Sequence, residues 1–213
     1  MSDAKTEILE RIRRAVGPRP PERTVDYAAT ERHYRHSGTL DGAARLDMLE
    51  ERLRDYGAGV YRTSRADLPA AIAQAAAARG KRRLTIPAGL PREWLPDTIE
   101  FVPDESDSYA GLDCGEGALT ACAAAIAMTG SIVLAHSPTE GRRALTLVPD
   151  YHLCVVFAAQ VVETVPEALR RVAAAGARLI TTIAGPSATA DIEMIRIQGV
   201  HGPRRLDVIL VVD

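Results

Sequence analysis

Two apolar runs near the C-terminus constrain the fold of this chain most. LDVILVV at 206–212 and ARLITTIA at 177–184 are short, rich in β-branched residues and almost uncharged. A strand with one wet face alternates polar and apolar residues. These runs do not alternate, so both of their faces must be covered. Helices packed on the two sides of a parallel sheet supply that cover.

The remaining segments alternate as such a sheet requires. Leu46, Leu49, Leu53 and Tyr56 form the apolar stripe of a helix over 40–56, and Gly57 is placed to end it. GVYRT follows as a strand. Asp67 caps an alanine-rich helix that stops at Gly80. RRLTIP and TIEFVP are strands, with a short helix or turn at PREWLP between them. ALTACAAAIAM at 118–128 has no charged residue and must be buried. Its alanines predict a short helix starting near residue 117, leading into a hairpin that turns on Thr129–Gly130. RRALTLVP and YHLCVVFAAQVV read as strands. Thr164–Val165–Pro166–Glu167 has the spacing of a capping box and opens a helix that runs to Gly176. The fold class is α/β: a layered, mostly parallel sheet flanked by helices.

An N-terminal piece stands apart. Ile8, Leu9, Ile12, Ala15 and Val16 recur at helical spacing over 6–16. GPRPPER then breaks the helix and stiffens the chain. Residues 1–25 are expected to form a helical arm with a proline-rich linker, and 26–213 one α/β domain long enough to bury a core.

Composition excludes several classes of function. The formal net charge is −2, and the basic residues are scattered, so there is no electrostatic footprint for nucleic acid. No apolar stretch reaches about 18 residues, so no membrane span is expected. The N-terminus lacks the apolar region of a secretory signal, and a cytoplasmic location is expected. Cys114, Cys122 and Cys154 are odd in number and widely spaced, with no C-x-x-C. They read as buried small hydrophobes, with no metal or cofactor held by this chain alone.

The polar chemistry concentrates in GPSATADIEMIRIQGVHGP, residues 185–203, between the two apolar runs. Ligands of parallel sheets sit outside the carboxyl ends of the strands, and Gly185–Pro186–Ser187 follows ARLITTIA. Gly185 permits an unusual backbone turn, Ser187 is a good helix cap, and ATADIEMIRI can begin a helix. Such a start offers free N–H groups to an anion, and Thr189 adds a second hydroxyl. Asp191 and Glu193 point about 200° apart on a helix but share a cleft if the segment is a loop or strand. Asp191 in a first helical turn also complements the helix dipole. His201, between flanking glycines, is a candidate base or donor. His152 reads as a satisfied edge residue at a strand start. His33 and His36 have i, i+3 spacing without an evident third ligand. Neither a P-loop nor a G-x-G-x-x-G fingerprint is present, and no G-x-S-x-G elbow supports a serine nucleophile.

The same stretch carries a resemblance. GPSATADIE and GVHGPRRLDVILV resemble the LUD domain. With AAAIAMTGSIVL, LTLVPDYHLCVV and the arginine-rich N-terminal helix, most of the chain resembles the lactate utilization protein C family. The resemblance implies a fold related to ribose-5-phosphate isomerase, glucosamine-phosphate deaminase and CoA-transferase domains. It also implies a part in oxidising L-lactate to pyruvate beside two iron–sulfur partner proteins, which would carry the clusters. One departure matters: where the family often has an acid before its threonine–glycine turn, this chain has Met128.

Three functions are compatible with these observations. The first is a subunit without a cluster in a lactate-oxidising system. It would bind a small anion through Thr129, Gly130, Ser131, Gly185, Pro186, Ser187, Thr189 and Gly202, with Asp191, Glu193 and His201 as its catalytic residues. The second is a stand-alone enzyme on a phosphorylated sugar or acyl-CoA, for which Glu193 is the acid within the motif placed to act as nucleophile. The third is an interaction module that grips a partner with the 1–17 arm.

Overall fold

The computed structural model describes residues 4–17, 29–104, 109–113, 115–186, 188–189, 197–198 and 202–213. The chain divides into two compact units, Met1–Tyr34 and Arg35–Asp213. The first contains α1 (Ala4–Val16), an amphipathic helix with Glu7 in its first turn and Arg13 and Arg14 in its last, the polarity a helix dipole favours.

The second unit is built on a six-stranded parallel sheet. Its strands are β1 (Gly59–Thr63), β2 (Arg83–Ile86), β3 (Glu100–Pro103), β4 (Ala118–Thr120), β7 (Tyr151–Phe157) and β12 (Arg205–Val211), in the order β1-β12-β7-β4-β2-β3. The two inner strands with the longest ladder, β12 and β7, pair from Arg205↔Tyr151 to Val211↔Phe157. They are mostly apolar, with Asp207 the charged residue buried in β12, and they are covered on both faces. A second, four-stranded sheet has the order β8-β5-β6-β9, formed by β8 (Val161–Val162), β5 (Ala124–Ile126), β6 (Ser131–Leu134) and β9 (Thr181–Ile183). A two-stranded ladder pairs β10 (Ala188–Thr189) with β11 (Ile197–Gln198).

Helices fill and cover these sheets. α2 (Gly42–Asp55) begins at Asp41, whose carboxylate accepts the Ala44 N–H at 2.8 Å. Its Leu46, Leu49 and Leu53 pack between the two sheets, against Val156, Val208 and Leu210 of one and Ala125, Ile132 and Leu134 of the other. α3 (Leu68–Ala78) covers the opposite face of the parallel sheet with Leu68, Ile72 and Ala75 against Leu153, Val155 and Ile209. α4 (Tyr109–Asp113) is a short turn of helix. α5 (Val165–Ala174) lays Ala168 and Val172 on the outer face of the second sheet. Full burial of each such leucine or isoleucine contributes roughly 1.5–3 kcal/mol. No helix among the described residues is long and apolar enough to cross a membrane.

Four local expectations need correction. The helix expected from residue 117 is strand β4, which pairs with β2 and β7; sheet pairing overrides the alanine propensity. RRALTLVP is a 3-10 turn at Arg143–Thr146. ARLITTIA forms only the three residues of β9, an outer strand of the second sheet, and it is part-buried, with Leu179 73% exposed. Ala188–Thr189, the first two residues of ATADIEMIRI where a helix is expected to begin, are strand β10, and residues 190–196 lie outside the described residues. The Thr129–Gly130 hairpin is present, with Ile126 opposite Ser131. At the α5 capping box one carboxylate oxygen of Glu167 accepts both the Thr164 N–H at 2.8 Å and the Thr164 hydroxyl at 2.9 Å.

Candidate functional site

Residues at the two ends of the parallel sheet carry different chemistry. α2 leads through Tyr56–Ala58 directly into β1, so its C-terminus marks the amino end of that sheet. Gly185 follows β9 and lies against Tyr56, where a Cβ would come within 2.5 Å of the Tyr56 Cβ. Gly130 lies one turn earlier, where a Cβ would stand 2.7 Å from the Arg52 Cβ. Both glycines have positive φ, +61° at Gly130 and +73° at Gly185, which an L side chain adopts at a cost.

Sheet register explains why these glycines share one end. Ile132 pairs with Ile183, so the hairpin turn before β6 and the loop after β9 leave the second sheet together. Thr129 donates its hydroxyl to Ser131 Oγ at 2.9 Å. Gly202 precedes β12 and so also lies at the amino end of the parallel sheet. The structure thus brings Thr129, Gly130, Ser131, Gly185, Pro186 and Gly202 to one end of the molecule. Thr189 is in β10. Ser187, Asp191, Glu193 and His201 lie outside the described residues. The expectation that Gly185 stands at a carboxyl end of the parallel sheet is corrected: β9 belongs to the other sheet and runs antiparallel to β6.

The carboxyl ends of β2, β3 and β4 are bridged by the segment 135–142, for which the sequence suggests no role. Ala121, just past β4, donates its N–H to Thr139 O at 3.0 Å, and Gly89, past β2, donates to Pro138 O at 2.9 Å. Arg142 makes a two-pronged bond to Asp104, past β3, at 2.8 and 2.9 Å. Within the segment, Glu140 is buried and accepts the Ala135 N–H and the Ser137 hydroxyl, the latter at 2.9 Å. Ser137 and Thr139 hydroxyls lie 3.0 Å apart. His136 has φ 55°, a region that few residues other than glycine enter. Its ring spans Gly141 O at 3.2 Å and Thr181 Oγ1 at 2.9 Å. The available signal was HSPTEGRR itself, a polar run between two apolar ones, as at 185–203.

His152 is not an edge residue. It is in β7, between β12 and β4, and is 1% exposed. Its Nε2 lies 2.8 Å from Thr120 Oγ1, and its Nδ1 has no partner. Burial lowers its pKa to about 4, so the ring is neutral near pH 7. Cys122 and Cys154 are buried free thiols. The bond to Cys154 and then burial push the Cys122 thiol up, which makes it unreactive. Cys114 lies outside the described residues. Among the described residues, no three His, Cys, Asp or Glu side chains gather as a metal site would require.

Residues 113–211 match the LUD domain family. The chain is 44% identical over 213 residues to a lactate utilization protein C of Deinococcus radiodurans, covering 99% of this chain and 96% of that one. A lactate utilization protein C of Halalkalibacterium halodurans is 37% identical over 94 residues, which cover 41% of this chain and 40% of that protein. The crystal structure of a DUF162 family protein from Deinococcus radiodurans superposes with a TM-score of 0.70 at 42% identity, over 81% of this chain and 99% of that one.

Proposed function

The chain belongs to the LUD domain family, and from that premise we propose that it acts in lactate utilization as a subunit without a redox centre of its own. The observation that carries this is the 44% identity, end to end, with a protein named for lactate utilization. In this proposal the iron–sulfur clusters reside on partner proteins, and the complex oxidises L-lactate to pyruvate in the cytoplasm. This chain supplies a small-anion site. Thr129, Gly130, Ser131, Gly185, Pro186, Ser187, Thr189 and Gly202 form its walls, and Asp191, Glu193 and His201 hold or move protons within it. Support comes from the shared placement of the hairpin turn and the Gly185 loop at one end of the second sheet.

The test is co-purification of the tagged full chain with the two iron–sulfur proteins under anaerobic, reducing conditions, with growth on L-lactate as the second readout. Association, and growth lost on deletion of the gene, are expected. Absence of association together with unchanged growth overturns the proposal. In that case turnover of a sugar phosphate or acyl-CoA by the purified chain, lost in Glu193→Gln, would identify a stand-alone enzyme.

A second reading has its own observation: Met1–Tyr34 is a compact unit by itself, and α1 is amphipathic. The arm then grips a partner, and deletion of residues 1–17 abolishes association while Arg35–Asp213 stays folded.

A further inference from the structure

A cavity of about 420 Å³ opens at the end of the second sheet opposite the Thr129–Gly130 hairpin turn. That volume is typical of small-molecule pockets, roughly 300–1,000 Å³. Ala123, just before β5, gives it an apolar wall together with Val172 of α5 and Ala177 of the turn that follows. Val172 belongs to the apolar cluster of Ile126 and Val133, and Ala123 and Ala177 pack against that cluster. Small side chains over a packed core leave a surface that an aliphatic group can cover. Ser137 and Glu140 line the cavity from the segment 135–142, and Arg171 and Arg178 line it from α5 and the turn after it.

The cavity holds opposite charges that do not meet. Elsewhere Arg62, Arg79 and Arg142 each pair with buried or surface carboxylates. Among the described residues no ion pair joins Glu140 to Arg171 or Arg178, although all three line the same space. Arg171 donates to Ala159 O at 2.6 Å, which leaves other donors of its fork free. Glu140 is buried, and its two donors, the Ala135 N–H and the Ser137 hydroxyl, are both uncharged. A carboxylate has about four acceptor sites, so Glu140 can take a further donor, and a charged donor binds it roughly twice as strongly as a neutral one. The C-terminal end of α5 adds about half a negative charge. An anion alone would set its charge against Glu140 and that dipole. A cation alone would face two guanidiniums. A ligand that carries both charges on one carbon satisfies both poles. The bonds of the His136 ring to Gly141 and Thr181 fix the loop before a ligand arrives, which spares affinity an ordering cost.

We propose that this cavity binds a free aliphatic α-amino acid as its zwitterion, with the ammonium donating to Glu140, the carboxylate on Arg171 and Arg178, and the side chain on the wall of Ala123, Val172 and Ala177. The inference rests on the charge and shape of the cavity and not on the pathway proposed above. The site is separate from the Gly185 loop, which leaves the second sheet at its hairpin-turn end.

The experiment is calorimetry and amide-shift mapping on the full chain with L-leucine and its analogues. Isocaproate lacks the ammonium, isoamylamine lacks the carboxylate, leucic acid carries a hydroxyl in place of the ammonium, and L-alanine shortens the side chain. L-leucine should bind and shift the amides of Ser137, Glu140 and Arg178. Isocaproate, isoamylamine and leucic acid should each bind about tenfold or more weakly, the worth of one charged hydrogen bond. L-alanine, which gives up the burial of the longer side chain, should also bind about tenfold or more weakly. Arg178→Gln should weaken L-leucine binding about tenfold with an unchanged melting temperature, because the side chain is exposed. The proposal is overturned if L-leucine does not bind, if leucic acid or L-alanine binds as tightly, if Arg178→Gln has no effect, or if the shifts fall at the Gly185 loop. Loss of growth on L-lactate on deletion of the gene, with no amino acid bound by the chain, would remove this inference and leave the pathway proposal standing.

Discussion

Gly185 rests on Tyr56: a Cβ at the glycine would approach the tyrosine Cβ to 2.5 Å and its carbonyl oxygen to 3.1 Å, and the glycine φ is +73°. Gly185→Ala therefore meets two costs, about 1 kcal/mol for the backbone conformation and about 1–3 kcal/mol for overpacking. Gly176 has φ +75° with nothing within 4 Å, so Gly176→Ala meets only the first. Urea unfolding should show the Gly185 variant losing more stability than the Gly176 variant. Equal losses would mean that the loop yields to the added methyl group without resistance.

His152 makes stability depend on pH. Its pKa is about 4 in the folded chain and roughly 6.5 when unfolded. Between these values the unfolded state binds more protons, so stability falls as pH falls. The contribution is complete above about pH 6.5, is lost progressively down to about pH 4, and amounts to about 3 kcal/mol. Urea melts at pH 7 and pH 5 measure the slope. His152→Gln should flatten it over that window, and a slope that persists unchanged would assign the effect to other groups.

The sequence showed the layers better than the connections. LDVILVV and YHLCVVF were legible as buried strands because burial on both faces leaves no polar alternation, and the Thr164 capping box was legible because its spacing is local. β4 was misread, since three residues at the head of an alanine-rich run carry no sign of the two strands that flank them. β9 was misread because an apolar run cannot say which of two sheets it joins, and that choice decided which end of the molecule Gly185 occupies. The 135–142 segment was polar enough to notice, but its role depends on Ala121, Gly89 and Asp104, which are distant in sequence and adjacent only after folding.

Asp207 is an acid inside an apolar strand, and the fold shows why it is tolerated. It is fully buried, holds Arg79 by two bonds of 2.6 and 2.9 Å, and accepts the Tyr151 hydroxyl at 3.1 Å. Burial and then the Asp207 charge raise the Tyr151 pKa, keeping that hydroxyl a donor. Asp207→Asn leaves Arg79 without its charge partner and should cost about 3–5 kcal/mol. Asp207→Asn combined with Arg79→Met should recover part of the loss, because the stranded charge is gone. Denaturation of the two single variants and the double variant measures the coupling, and simple additivity would show that the pair is not coupled.

Glu163 fastens the approach to α2. One of its oxygens accepts the N–H groups of Thr39 at 2.6 Å and Leu40 at 2.7 Å, and the other lies 3.2 Å from an Arg35 guanidinium nitrogen. The side chain is buried, and the segment passes so close that a Cβ on Gly38 would fall 2.3 Å from the Glu163 Cβ. Glu163→Ala removes the acceptor and leaves a cavity. Glu163→Gln keeps the volume and one acceptor oxygen but loses the charge facing Arg35. Native-state hydrogen exchange separates these effects. The Thr39 and Leu40 amides should lose protection in Glu163→Ala, by about tenfold or more for bonds to a charged acceptor, and should lose less in Glu163→Gln. Amides of β7 and β12, which open only with the whole unit, should slow or quicken only as global stability changes. Unchanged protection at Thr39 and Leu40 in Glu163→Ala would show that packing of Leu46 and Leu49 alone holds the segment in place.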